Sequence, residues 1–328
     1  MRRAFFIVGP TATGKSELAA DVEHEIGAEI VSADAFQIYQ GLDLLTAKPD
    51  GSTLAKTPHH LIGTTPLRDE MNAEKYRRAA SRAIDEINSR CKLAIIVGGS
   101  GLYIKALTHG FAPVPESDPK LRAKLNAMSL DDLRSQLAEL DPKTARKIDM
   151  NNRRRLVRAL EICLLSGKSM SDVLAARSTV AEGVDLGSLA DVRPRSAPTA
   201  TETGSAVAAT GVFVFRDRNE LYERINQRVE TMFEHGVIEE VRTAGARSRT
   251  ASQMIGLREI WELLAGKKSL LQCVAEIQQA TRRYAKRQLT WFRRQTNFLP
   301  LNLSFLTHNE AVKWISLRIL SEAGTRDD

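Results

Sequence analysis

The chain is 328 residues long, with 47 Lys and Arg against 40 Asp and Glu and a net charge of +7, a balance that suits an anionic partner larger than one nucleotide. Its three cysteines, Cys91, Cys163 and Cys273, lie far apart without a CxxC pair, which excludes a disulfide framework and a structural zinc. No apolar run approaches membrane-spanning length and the first strand starts close to Met1, so neither a membrane span nor a leader is expected, and the expected location is cytoplasmic.

At this length a core with an inserted subdomain is the natural organisation. The chain opens with a buried strand, Ala4-Phe5-Phe6-Ile7-Val8, then Gly9-Pro10-Thr11-Ala12-Thr13-Gly14-Lys15-Ser16, then an amphipathic helix carrying Leu18, Ala19, Val22 and Ile26. This is a phosphate-binding loop. Gly9 and Gly14 let the backbone curl so that consecutive amides face a phosphate chain, while the helix N-terminus and Lys15 supply positive charge. Ser16 offers a hydroxyl to Mg2+. The expected ligand is a di- or triphosphate; whether a nucleotide carries it is not encoded in the loop.

A second strand around Glu29–Ser32 delivers Asp34 beyond the carboxyl end of a parallel sheet, beside the phosphate loop. Two roles stay open for its carboxylate at this point: a general base, or a cap for the next helix or a magnesium holder acting through water. Gln37 and Tyr39 follow on the same turn, and Thr46-Ala47-Lys48-Pro49 adds a hydroxyl and a cation that is either functional or solvated surface. A helix is expected over 73–89 and a strand over 93–97, the alternation of a parallel sheet. That strand ends in Gly98-Gly99-Ser100-Gly101-Leu102-Tyr103, without the acid that a motor-type ATPase uses for magnesium. Ser100 either hydrogen-bonds a leaving oxygen or caps the helix that follows. The neighbours His59 and His60, expected in a loop, have no further ligands at metal spacing.

Pro113, Pro115 and Pro119 then punctuate the chain, and the charged stretch from Leu121 to about Ala176 reads as a helical insertion. Within it Arg153, Arg154, Arg155 and Arg158 fall on one amphipathic helix, Arg154 and Arg158 sharing a face that is either merely solvated or a phosphate-backbone contact. From about Arg177 to Gly211 small and polar residues dominate, so a flexible connection is expected. Val212–Phe215 reads as a strand returning to the core, Asp217 or Asn219 as the cap of a helix over 221–234, and Gly236 as its end. The remainder is expected to be helical. In its strongest segment Arg282, Arg283, Lys286, Arg287, Arg293 and Arg294 occupy roughly 140° of arc, opposite Tyr284, Ala285, Trp291 and Phe292, which are expected in the core. Like charges at i, i+4 repel, and a polyanion relieves that repulsion. The fold class is therefore α/β: a P-loop NTPase-like parallel sheet flanked by helices, with the core at 1–114 and 211–328, a helical insertion at 115–176 and a connection at 177–210. No heptad seam stands out, so a monomer is expected.

Taken together, GPTATGKS, SADAFQIYQGLDLLTAKP, PHHLIG, IIVGGSGLYIKAL, RRRLVRALEI with SGKS, MIGLREIW and YAKRQLTWFR resemble, in order and spacing, the bacterial tRNA dimethylallyltransferases, also called tRNA isopentenyltransferases. The resemblance covers nearly the whole chain; the stretch from about Arg177 to Gly211 is longer than the family's usual connection. It implies transfer of a dimethylallyl group from its diphosphate to the exocyclic N6 amine of the adenosine 3′ of the anticodon, position 37, in tRNAs reading codons that start with U. Magnesium assists and no ATP is needed. Residue by residue, it implies that Gly9 to Ser16 cradle the diphosphate, that Asp34 is the general base, and that Ser100, where a threonine is usual, lies near the bridging oxygen. The positions it implies for tRNA contact, on the anticodon stem-loop, are Asp34, Ala35, Phe36, Gln37, Ser100, Arg122, Arg154, Arg155, Leu156, Val157, Arg158, Gln253, Met254, Ile255, Gly256, Leu257 and Arg258. The cationic face formed by Arg282, Arg283, Lys286 and Arg287 joins them. Ala35 stands where a serine is usual, Leu45 where DIGTAKP has its glycine, and Leu257 where a tyrosine follows glycine.

The rival expectation is a small-molecule P-loop kinase, which shares the loop, the strand-end aspartate and a helical insertion but consumes ATP and makes no use of a basic C-terminal helix. A nucleic-acid-binding NTPase is a third, disfavoured by the missing acid after Val97.

Overall fold

The structure, a computed structural model, describes residues 3–110, 114–175 and 210–324. The connection expected at 177–210 lies, apart from Thr210, outside the described residues. The chain divides into two compact units, Met1–Gly110 with Ser205–Asp328, and Phe111–Gly204.

In chain order the first unit begins with β1 (Ala4–Val8), α1 (Lys15–Ile26), β2 (Glu29–Ser32), α2 (Gly51–Lys56), β3 (His59–His60), α3 (Ala73–Ser89), β4 (Ala94–Gly98) and α4 (Gly101–His109). The second unit supplies α5 (Pro119–Ala127), α6 (Leu130–Leu140), α7 (Pro142–Ala145), α8 (Arg153–Ser166) and α9 (Met170–Ala175). The first unit resumes with β5 (Thr210–Phe215), α10 (Arg218–Glu234), α11 (Val237–Thr243), α12 (Leu257–Leu264), α13 (Leu270–Phe292), β6 (Phe298–Asn302) and α14 (His308–Gly324).

The six strands are all parallel, in the order β3-β2-β4-β1-β5-β6. Side chains alternate across such a sheet, and here both faces are covered, which is why its strands read as unbroken apolar runs. Phe5 and Ile7 of β1 pack with Leu18 and Val22 of α1 and Ile315 and Ile319 of α14. Phe6 and Val8 face the other way, into the cluster holding Ile84 of α3, Val229 of α10 and Phe292 of α13. The helices start where their caps say. Asn72 accepts from the Glu74 and Lys75 amides at the head of α3, and Ser269 with Gln272 forms a capping box on α13. Along α13 the buried residues Cys273, Ile277, Thr281, Ala285, Gln288 and Phe292 recur every three or four positions, the single-stripe pattern of a helix packed on one side.

Three expectations need correction. The C-terminal remainder is not all helix: β6 lies in it, a short edge strand where Pro300 is tolerated because its missing donor faces no further strand. The pair His59 and His60 forms β3, a two-residue strand too short to signal itself; His60 Nε2 lies 2.8 Å from Glu29 Oε2. Asp217 stands at the N-cap of α10, yet its carboxylate makes no cap bond and accepts instead from Asn302 Nδ2 at 2.9 Å. In the second unit Leu125, Leu133, Leu137, Leu156 and Leu160 form the core. Among the described residues no helix is long and apolar enough to cross a membrane.

Candidate active site

The phosphate loop links β1 to α1 at the carboxyl edge of the sheet. Its two glycines serve different ends. Gly14 has φ 89, a left-handed conformation that caps α1. Gly9 is needed for close approach, since a Cβ there would fall 2.1 Å from the Val214 carbonyl oxygen. Inside the loop, the Thr13 hydroxyl and Lys15 Nζ both donate to the Pro10 carbonyl, at 3.0 and 3.1 Å. Three arginines hold the loop from outside: Arg216 Nε donates to Thr13 O and Arg224 Nε to Ala12 O, each at 2.9 Å, and Arg228 Nη1 donates to Thr11 Oγ1 at 2.8 Å.

Charge is crowded here and short of solvent. Burial pushes the Lys15 ammonium down to about 8, with Arg228 adding to the effect and Asp34 opposing it. Burial likewise pushes Arg228 down to about 10, opposed by Asp34 and reinforced by Arg224. Arg228 Nε is a buried donor without a hydrogen-bond partner among the described residues.

Asp34 leaves β2 in an Asx turn: its Oδ1 accepts from the amides of Phe36 at 2.9 Å and Gln37 at 3.3 Å. One oxygen thus shapes the turn, while the carboxylate as a whole lines a cavity beside Thr11 and Arg228. The Ser100 hydroxyl does not cap α4; it accepts from the Ala35 amide at 2.9 Å. The Tyr284 phenol, whose ionisation is pushed up by burial and then by Asp34, adjoins Ser100 and Gln288. Lys48 is no solvated surface cation. Its Nζ is enclosed, donating to Tyr39 O, Gly41 O and Asp43 Oδ1, and so braces the segment whose Thr46 and Ala47 carbonyls receive Gln37 Nε2.

The cavity measures about 60 Å3. Its polar lining includes Asp34, Thr11 and Arg228, with the Thr46 and Thr281 side chains, and its apolar lining includes Val229, Met232, Phe233, Val237, Ile260 and Ile277. Phe36, Leu45, Met254, Ile255 and Tyr284 also line it. Leu45, which stands where the resembled pattern has glycine, packs against Gly256 so closely that a Cβ there would come 3.0 Å from Leu45 Cδ1.

The positions implied for tRNA contact differ in what they expose. Ala35 and Gln37 are half-buried on the Asp34 turn. On α13, Arg283, Lys286 and Arg287 are exposed, whereas Arg282 is half-buried and donates to Asn226 Oδ1 at 2.7 Å. On the turn leading into α12 and its first residues, Gln253 and Arg258 are exposed while Met254, Gly256 and Leu257 are buried. In the second unit Arg154 is exposed, but Arg122 and Arg158 pair with the fully buried Glu161, and Leu156 and Val157 point into the core.

The sequence reading passed over Arg216, Arg224, Arg228 and Gln288. A signal was available for the arginines: Arg216 follows the carboxyl end of a parallel strand, and Arg224 and Arg228 are spaced i, i+4 on the next helix.

Fold and site define the class: a P-loop α/β protein in which a carboxylate that acts on Lys15 and Arg228 also lines a largely apolar cavity. The chain belongs to the IPP transferase family, whose model matches residues 37–295. It is 41% identical over 293 residues to "tRNA dimethylallyltransferase 1" of Citrifermentans bemidjiense, with 88% of each chain covered. Its structure is similar to that of the full-length tRNA isopentenylpyrophosphate transferase from Bacillus halodurans, with a TM-score of 0.69 and 29% identity over 100% of this chain and 98% of that one. A eukaryotic dimethylallyltransferase acting on tRNA shares the fold, with a TM-score of 0.75 at 22% identity over 98% of this chain and 80% of that one. The kinase alternative finds no support in these comparisons.

Proposed function

We propose that this chain transfers the dimethylallyl group of dimethylallyl diphosphate to N6 of the adenosine at position 37, 3′ of the anticodon, in tRNAs reading codons that start with U, and that it does so in the cytoplasm. The relatives' names state a tRNA acceptor and an isoprenoid donor. The observation that carries the reading is one cavity lined together by Thr11 of the phosphate loop, by Arg228 and Asp34, and by apolar side chains.

The chemistry follows from the arrangement. An adenine amine is a poor nucleophile because its lone pair is delocalised into the ring, so its proton leaves as the N6–C1 bond forms, and Asp34 accepts it. The C1–O bond breaks with its electron pair on the diphosphate. Lys15, Arg228 and the loop amides take up that charge, and Ser100 adds its hydroxyl near the leaving oxygen. The target base must leave the anticodon stack, which costs roughly a few kcal/mol and is offset by contacts in the pocket. For magnesium, the fitting donor is Ser16, at the start of α1, whose hydroxyl makes no hydrogen bond among the described residues; no cluster of three His, Cys, Asp or Glu groups is found among them. One hydroxyl with phosphate oxygens and water is a donor set Mg2+ accepts. Bound there, it would neutralise charge on the leaving group.

The test is nucleoside mass spectrometry of unmodified tRNA incubated with the protein, magnesium and dimethylallyl diphosphate, with ATP in a parallel reaction. A five-carbon gain on adenosine without ATP supports the reading. A folded protein that adds nothing from dimethylallyl diphosphate refutes it.

Two further outcomes are expected. Lys15 loses its proton as pH rises through about 8 in the free protein, so the anion site loses charge on the alkaline side. The kcat/KM for the donor therefore falls above about pH 8, while kcat falls less because bound diphosphate holds the proton on Lys15. A kcat/KM profile flat across that range would remove Lys15 from donor binding. On α13, neutralising Arg283, Lys286 and Arg287 together should flatten the slope of log K for tRNA against log salt by roughly 2, at about 0.7–0.9 for each phosphate that the protein ceases to neutralise. An unchanged slope would show that this face does not meet the phosphate backbone.

A further inference from the structure

Gln288 lies on α13 and is 6% exposed. Its side-chain amide joins two loops: Oε1 accepts from the Thr11 amide at 2.9 Å, and Nε2 donates to the Gly99 carbonyl at 2.8 Å. One loop carries the diphosphate cradle and the other carries Ser100. Backbone links them at the strand ends, where Gly9 N donates to Gly98 O at 3.2 Å. The fit is tight, because a Cβ on Gly99 would come 2.3 Å from Gln288 Nε2 and 2.8 Å from the Gly9 carbonyl oxygen. The Thr11 amide is thereby turned toward Gln288 and withdrawn from the amides that can face a phosphate.

We propose that Gln288 is a positioning residue, an amide staple that sets the phosphate loop against the Ser100 turn and so fixes the diphosphate relative to Ser100 and Asp34. The inference rests on the reading of this loop as the donor site. A carboxamide supplies an acceptor and a donor from one planar end, which these two backbone groups require. Glutamate at this position keeps the Thr11 bond but turns lone pairs toward Gly99 O, and leucine makes neither bond, leaving Thr11 N and Gly99 O to find other partners. Misplacement of about 1 Å between reacting groups is enough to cost roughly 10²-fold in rate.

The experiment compares wild type, Gln288→Glu and Gln288→Leu in steady-state kinetics with dimethylallyl diphosphate and tRNA, with thermal unfolding and tRNA affinity measured alongside. In Gln288→Leu, kcat is expected to fall by about 10- to 100-fold and donor KM to rise, with tRNA affinity held within about twofold; Gln288→Glu falls between. A folded Gln288→Leu with wild-type kcat and donor KM overturns the proposal, and so does a loss confined to tRNA affinity. If Gln288→Leu does not fold, the near-isosteric Gln288→Glu decides by the same two parameters. Wild-type protein that transfers nothing from dimethylallyl diphosphate removes the donor-site reading and this inference with it. Wild-type turnover with indifferent variants removes the inference alone.

Discussion

Asp34→Asn is expected to lower the transfer rate by about 10²–10⁴-fold, the range for loss of a positioned general base, while both substrates still bind. Asparagine keeps an Oδ1 that can accept from the Phe36 and Gln37 amides, so the turn after β2 survives. What disappears is the proton acceptor. The change also removes a negative charge from beside Lys15 and Arg228, both of which Asp34 holds in their charged forms. Relief of repulsion toward the diphosphate favours donor binding at neutral pH. Loss of the support that Asp34 gives Lys15 moves the alkaline fall in donor kcat/KM below about 8, because the ammonium then deprotonates more readily. Single-turnover rates with both substrates saturating, together with donor binding across pH, check the two halves. A rate within about tenfold of wild type would exclude Asp34 as the base.

The parts of the site legible in the sequence are those whose physics is local. The loop from Gly9 to Ser16 states its function position by position, and Asp34 and Ser100 announce themselves by following strand ends within a few residues. The rest acts across the chain. Thr11 meets Gln288 over 277 positions and Arg228 over 217, distances at which no periodicity or spacing rule operates. Lys48 shows the same limit: in the sequence a functional cation and solvated surface stay equally open, and only the fold shows the carbonyls of Tyr39 and Gly41 closing over it. β6 escaped because a five-residue edge strand with a proline has no alternation long enough to register. Arg122 enters only as a tRNA contact implied by the resemblance, and the fold pairs it with the buried Glu161. The run from Arg154 to Arg158 names a helix turn, yet Arg154 is exposed while Leu156 and Val157 face the core. A motif marks a segment of chain; the side chains within it are assigned to solvent, substrate or core only by helix geometry.

Arg228→Met is expected to separate function from stability. Arg228 is held in the fold at a cost: burial pushes it down to about 10, and its Nε has no partner among the described residues. Its hydrogen bond to Thr11 Oγ1 ties it to the lip of the anion cradle. A buried charge with an unfilled donor is unfavourable in the free protein and becomes favourable when an anion arrives, which is the logic of a binding site and the reverse of a structural pair. Methionine fills similar apolar volume without the charge. The thermal midpoint should therefore not fall, whereas kcat/KM for the diphosphate donor should drop by about 10²–10³-fold, as when other charge-stabilising donors are removed. Lys15 gives an internal check. Arg228 contributes to depressing it, so the variant should carry its alkaline limb above about 8, opposite in sign to the shift expected for Asp34→Asn. A lowered midpoint with donor kinetics preserved would make Arg228 a structural brace for the loop, and an unmoved alkaline limb would show that it does not share the anion site with Lys15.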